Sequence, residues 1–206
     1  MNKQKYIDDL KDIKDIMNRS SRFISLNGLS GVVAGVTALI GSYLAYSIVY
    51  SNQHYLGGYR SANLSSENII YLLVIATSVL IISFGAGIYF TTRTAKKNKE
   101  KLWDIQTKRL LINLLIPLVT GGILCLILLF KGYVGIVAPL TLIFYGLALV
   151  NASKYTLTEV RSLGIVEIIL GLFASYFIGY GLIFWAIGFG GLHIIYGLFM
   201  YRNQAK

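Results

Sequence analysis

A chain of 206 residues fits a single domain, and its composition excludes an ordinary soluble one: 55% of the residues are hydrophobic and 14% charged, against about 25% charged in a typical soluble domain. The net charge of +10 would suit nucleic acid, but the charges are gathered into short segments between long uncharged stretches, which argues against that partner. The one cysteine, Cys125, lies in an apolar run and excludes an intrachain disulfide.

In chain order, residues 1–22 come first and are dense in charge. Ile7, Leu10, Ile13 and Met17 recur at helical spacing. Asp8 with Lys11, and Lys11 with Asp15, form pairs that support a helix. The segment reads as a cytoplasmic amphipathic helix. It either lies on headgroups or on its own bundle, or it forms a short coiled coil for self-association or a protein partner.

A helix needs about 20 apolar residues to cross a hydrocarbon core of about 30 Å. Dividing the chain at its charges predicts spans over 23–50, 68–92, 110–130, 132–153, 162–178 and 182–201. Phe23–Tyr50 carries no charge and exceeds the about 7–15 residues of a signal h-region, so it reads as a retained span. The last two spans are divided only by Gly179-Tyr180-Gly181, which predicts a tight turn. The expected fold is all-α: a polytopic transmembrane bundle of six helices in three in–out–in hairpins.

Orientation follows from the loops. All of the 19 Lys and Arg residues except Arg60 and Lys131 fall in the N-terminal segment, in alternate loops or in the tail. That bias predicts cytoplasmic N and C termini. The densest cluster is Arg93, Lys96, Lys97, Lys99, Lys101, Lys108 and Arg109, which suits anionic inner-leaflet lipids. Tyr and Trp residues near the span ends, such as Tyr50, Tyr133, Trp185, Tyr89, Trp103 and Tyr201, fit the headgroup region. The outer loop over 51–67 holds His54 and the sequon Asn63-Leu64-Ser65, a tripeptide that arises often by chance.

Ile143-Phe144-Tyr145-Gly146-Leu147 lines up with Ile194-Ile195-Tyr196-Gly197-Leu198, which suggests a parallel internal repeat. The hairpin from Leu163 to Tyr201, with Gly164-Ile165-Val166-Glu167-Ile168-Ile169-Leu170-Gly171 and Tyr196-Gly197-Leu198, resembles a hairpin of the HdeD-type three-hairpin membrane proteins. The stretch from Ser20 to Gly31 (Ser-Ser-Arg-Phe-Ile-Ser-Leu-Asn-Gly-Leu-Ser-Gly) resembles the start of six-helix membrane proteins of Bacteroidota. These resemblances imply a bacterial inner (cytoplasmic) membrane and, for the first, an association with acid resistance. They carry no catalytic residues.

No paired-Cys zinc pattern, His-Glu-x-x-His, P-loop or Gly-x-Ser-x-Gly is present. Glu167 is the only carboxylate within a predicted span, so neither an intramembrane hydrolase nor a metal or cofactor is expected. Gly31 and Gly35, with Ala34 and Ala38, form a small-residue face. Such a face serves packing within the chain or a dimer contact. Pro117 and Pro139 lie within spans three and four and permit kinks.

Glu167 and His193 lie about 9 Å and about 13 Å inward from Arg161 and Arg202 at the helical rise. Ionisable groups within membranes usually face the bundle. The two form either a hydrogen-bonded structural pair or a proton- or ligand-responsive site. The expected function is a non-enzymatic membrane scaffold or regulatory partner. The alternative is a small-solute or proton-linked transporter or channel with a polar cavity near Glu167, Asn113 and His193.

Overall fold

The computed structural model describes residues 27–50, 65–98 and 103–204. The predicted helix over 1–22, the start of the first span, the outer-loop residues His54 and Asn63, and Lys99 and Lys101 lie outside the described residues. The regular structure among the described residues is helical. In chain order it comprises α1 (Gly28–Tyr50), α2 (Ser66–Asn98), α3 (Ile105–Phe130), α4 (Val134–Ala152), a 3-10 turn (Ser153–Tyr155), α5 (Thr158–Tyr176), α6 (Gly181–Trp185), a π-helical segment (Ala186–Leu192) and α7 (His193–Gln204). The last three run on as one rod.

Five helical stretches are long and apolar enough to cross a membrane: Gly28–Val49, Glu67–Lys97, Ile105–Phe130, Val134–Tyr155 and Gly181–Arg202. A sixth helix, α5, has 19 residues but carries three charged residues, Glu159, Arg161 and Glu167, and is not among those five. α2 runs past its predicted end at Thr92 to Asn98. Charges end a hydrocarbon span, yet Arg and Lys are good helix formers, so the helix itself continues.

The helix ends follow from local chemistry. At the start of α3 the Asp104 carboxylate accepts from the Thr107 N–H at 2.7 Å and from its hydroxyl at 2.8 Å. Slight burial pushes the Asp104 carboxyl up, but the hydrogen bonds from Thr107 outweigh this and hold it below its ordinary value. Its folded pKa is therefore depressed. Its contribution is whole above the usual aspartate range and fades as pH falls through the folded value. Asp104→Ala is expected to cost about 0.5–2 kcal/mol. Thermal unfolding in detergent as a function of pH checks this, and the loss should shrink in acid.

α3 ends in a Schellman motif: the Tyr133 N–H donates to Leu128 O at 2.9 Å and the Gly132 N–H to Leu129 O at 3.0 Å. Gly132 has φ +85°, the left-handed conformation that this cap requires. The predicted tight turn falls at Gly179, with φ +109°. There the Tyr180 N–H donates to Phe177 O at 3.1 Å, closing a four-residue turn with glycine in its third position.

The core lies where α4 meets α5, where α3 meets α4, and where α1 meets the last rod. α2 packs against α1, and the most apolar window of α2 has no buried residue. Ile70, Val74, Leu80, Ile81, Phe84 and Ile88 are all more than 45% exposed. A contiguous apolar surface of this kind is a liability in water. It suits hydrocarbon, where helices satisfy their own backbone polar groups. The described chain thus has the architecture of an integral membrane protein.

Small residues set the helix crossings. A Cβ at Gly146 would lie 2.5 Å from Gly164 O, and one at Gly164 would lie 2.8 Å from Gly146 O. The start of α1 meets the end of α7 at Gly28 and Gly197. The Asn27 side chain donates to the Thr94 hydroxyl at 2.9 Å, tying the start of α1 to the basic end of α2.

Candidate functional site

Glu167 sits on the buried face of α5 with Leu163, Gly164, Gly171 and Ala174, and is fully buried. His193 begins α7 directly after the π-helical segment and is 7% exposed. Its Nδ1 lies 3.5 Å from Glu167 Oε1. Nδ1 also lies 3.0 Å from Gly188 O within the π-helical segment, and Nε2 lies 2.7 Å from the Tyr145 hydroxyl. A carbonyl oxygen accepts only, so Nδ1 carries the proton toward Gly188. Nε2 then accepts from Tyr145.

Neither Glu167 oxygen has a hydrogen-bond partner among the described residues. A Cβ at Gly188 would lie 2.5 Å from Glu167 Oε2, so a residue without a side chain makes room for the carboxyl. Above the imidazole, Phe189 stacks with His193 at a centroid separation of 5.8 Å and packs on Tyr145 at 4.9 Å. Trp185 packs on Phe189 at 4.9 Å. A π turn inside an α-helix often marks a functional position, and here Gly188 and His193 lie against Glu167 while Phe189 stacks on His193.

Asn113 stands apart from this cluster. Its side chain donates to Arg109 O one turn back at 2.8 Å, and its backbone oxygen accepts from the Asn151 side chain at 2.9 Å. The polar site expected from Glu167, His193 and Asn113 is therefore assembled with Tyr145 and Gly188 in place of Asn113. Tyr145 was visible in the sequence only as part of the repeated Tyr-Gly pair. Its role needs the spatial approach of α4 to the last rod.

Gly31 and Gly35 face the last rod within the same chain. A Cβ at Gly31 would lie 3.2 Å from the His193 O and Gly197 Cα atoms, and one at Gly35 would lie 2.7 Å from Gly190 O. Ala38 is buried and Ala34 half-buried. Arg93, Lys96 and Lys97 near the end of α2, and Lys108 and Arg109 near the start of α3, are exposed.

Nearer the other end of the bundle, a half-open cavity of about 530 Å³ lies among α1, α2, α3, α4 and the α5–α6 turn. Neither Glu167 nor His193 lines it. Among the described residues, no group of three or more His, Cys, Asp or Glu side chains gathers as metal ligands would. No family model, curated protein or solved structure matches the chain.

Proposed function

We propose that this chain is a non-enzymatic integral protein of a bacterial inner membrane that acts as a scaffold or regulatory partner. Both ends would lie in the cytoplasm and the helices would run as three in–out–in hairpins. The observation that carries this reading is the sealed polar centre. Glu167 and His193 are shut into the helix packing, Tyr145 and Gly188 engage the imidazole, and the cavity described above is lined by other residues. A buried polar cluster of this kind fixes the register of packed helices. The work then falls to the cytoplasmic face. Arg93, Lys96, Lys97, Lys108 and Arg109 would rest on anionic lipids, and residues 1–22 would hold a protein partner or a second copy.

A proton-linked transporter is the second reading, favoured by the unpartnered Glu167 oxygens beside a π-helical segment. Proteoliposomes loaded with a pH-sensitive dye separate the two. Under an imposed pH gradient, the scaffold reading expects dye responses equal to those of empty vesicles, for the wild type and for Glu167→Gln alike. A flux present in the wild type and lost in Glu167→Gln would overturn it. Cross-linking in native membranes, followed by co-purification with and without residues 2–18, tests the partner directly.

A further inference from the structure

The bundle is parted between α2 and α3. α2 packs on α1, α3 packs on α4, and the two make no extensive contact with each other. Both nevertheless wall the same cavity, with Ala76 on one side and Gly122 and Cys125 on the other. Two helices that wall one cavity without packing on each other leave a gap between them. For spans crossing a bilayer, the surrounding medium is acyl chain.

Most of the residues that line the wall are apolar. The Ser42 hydroxyl donates to Leu39 O at 2.8 Å and the Thr141 hydroxyl to Ala138 O at 2.7 Å. The Cys125 thiol lies 3.8 Å from Val137 O, where it donates weakly. Ser42, Thr141 and Cys125 thus engage backbone carbonyls, while Thr77, Tyr180 and Trp185 add the other polar side-chain groups of the lining.

Size and depth choose between a lipid chain and a protein segment. The lining runs from Gly41 to Val49 on α1 and from Leu72 to Leu80 on α2, which is about 12 Å of helix rise. That is less than half of the about 30 Å hydrocarbon core, so the occupant comes from one leaflet. That rise is little more than two helical turns at a pitch of about 5.4 Å, so a whole spanning helix of a second copy would run well past the lining, whereas a flexible hydrocarbon chain can thread in. The cavity volume of about 530 Å³ is also within the about 300–1,000 Å³ of ligand pockets.

We propose that this cavity binds one acyl chain of a bilayer lipid, admitted sideways between α2 and α3 from the leaflet opposite the basic cluster. The inference rests on the reading that these helices cross a bilayer. Tyr180 and Trp185, which also line the cavity, bring amphipathic rings toward the headgroup end of that chain.

Trp185 supplies the test, because the chain holds only two tryptophans. The other, Trp103, precedes α3 and is 71% exposed. Trp103→Phe leaves Trp185 as the sole indole. The full chain carrying it is reconstituted in phosphatidylcholine vesicles whose acyl chains are brominated, with unbrominated vesicles as reference. Strong quenching of Trp185 is expected. Gly122→Phe should abolish most of it by filling the cavity, since a Cβ at Gly122 meets nothing within 4 Å. Ala76→Phe fills it from the opposite wall and serves if Gly122→Phe does not fold. Gly85→Phe, at another position with open space on α2, should leave the quench unchanged.

Quenching unaffected by either filling variant overturns the proposal. So does weak quenching at high protein density that rises on dilution with lipid, which would put a second copy at the opening. Carbonate extraction of the same vesicles reads insertion separately. A chain that is not extracted yet shows no quench refutes the lipid site and leaves the membrane reading standing.

Discussion

Gly197→Leu is expected to prevent stable folding of the inserted protein. A Cβ at Gly197 would lie 2.6 Å from Gly28 O and 2.8 Å from Val32 N. Both are backbone atoms of α1 and have no rotamer by which to retreat. The remaining leucine atoms would force α1 and α7 apart along the line that also holds Gly31 and Gly35. Helices in a membrane associate by close packing rather than by hydrophobic drive, so separating them forfeits the association itself. The loss should reach or exceed the upper end of the about 1–3 kcal/mol typical of overpacking. Gly85→Leu and Gly122→Leu, where an added Cβ meets nothing within 4 Å, should stay within about 0.5 kcal/mol of the wild type. Size-exclusion profiles after graded heating in mild detergent would rank the three. If Gly197→Leu kept its monomer and lost only a dimer, the small-residue face would be a contact between copies instead.

The apolar runs were legible because a bilayer sets a minimum length and charges interrupt it, and five of them recur as helices long and apolar enough to cross a membrane. Local punctuation was legible for a similar reason: the turn at Gly179 needs a backbone that glycine adopts readily. Helix pairing was not legible. Helices that are apolar on all sides carry no stripe that names the facing partner. Gly31 and Gly35 announced a close approach, but the opposing Gly190 and Gly197 lie more than 150 positions away. The two Tyr-Gly pairs looked like a repeat and sit at different junctions. Gly146 meets α5 at Gly164, and Gly197 meets α1 at Gly28. The π-helical segment left no mark beyond a cluster of glycines, and the carboxyl that lies against Gly188 comes from another helix. Glu167 and His193 were conspicuous because ionisable groups are rare in spans. Tyr145 was one of 15 tyrosines.

That cluster yields the second large effect. His193→Leu is expected to cost about 3 kcal/mol or more, at the scale of a broken buried network. It removes the imidazole from both of its partners at once. The Tyr145 hydroxyl loses its acceptor at 2.7 Å, and Gly188 O loses the side-chain donor at 3.0 Å. Each buried group left unpaired costs about 1–3 kcal/mol. Tyr145→Phe alone strands only Nε2 and should cost about 1–3 kcal/mol on the same grounds. In the double variant nothing is left for Tyr145→Phe to strand, so the two losses should fall short of adding. Residues joined by a hydrogen bond couple by about 0.5–3 kcal/mol, whereas independent ones add to within about 0.5 kcal/mol. Thermal or denaturant unfolding of the four proteins in one detergent measures that coupling. Glu167→Gln belongs beside the cycle as a shape-preserving change. It keeps the volume packed against Gly188 and should be tolerated if the carboxyl serves packing. Strict additivity of Tyr145→Phe and His193→Leu would mean that the hydroxyl and the imidazole are not bonded in the membrane, and the sealed polar centre would lose its organising contact.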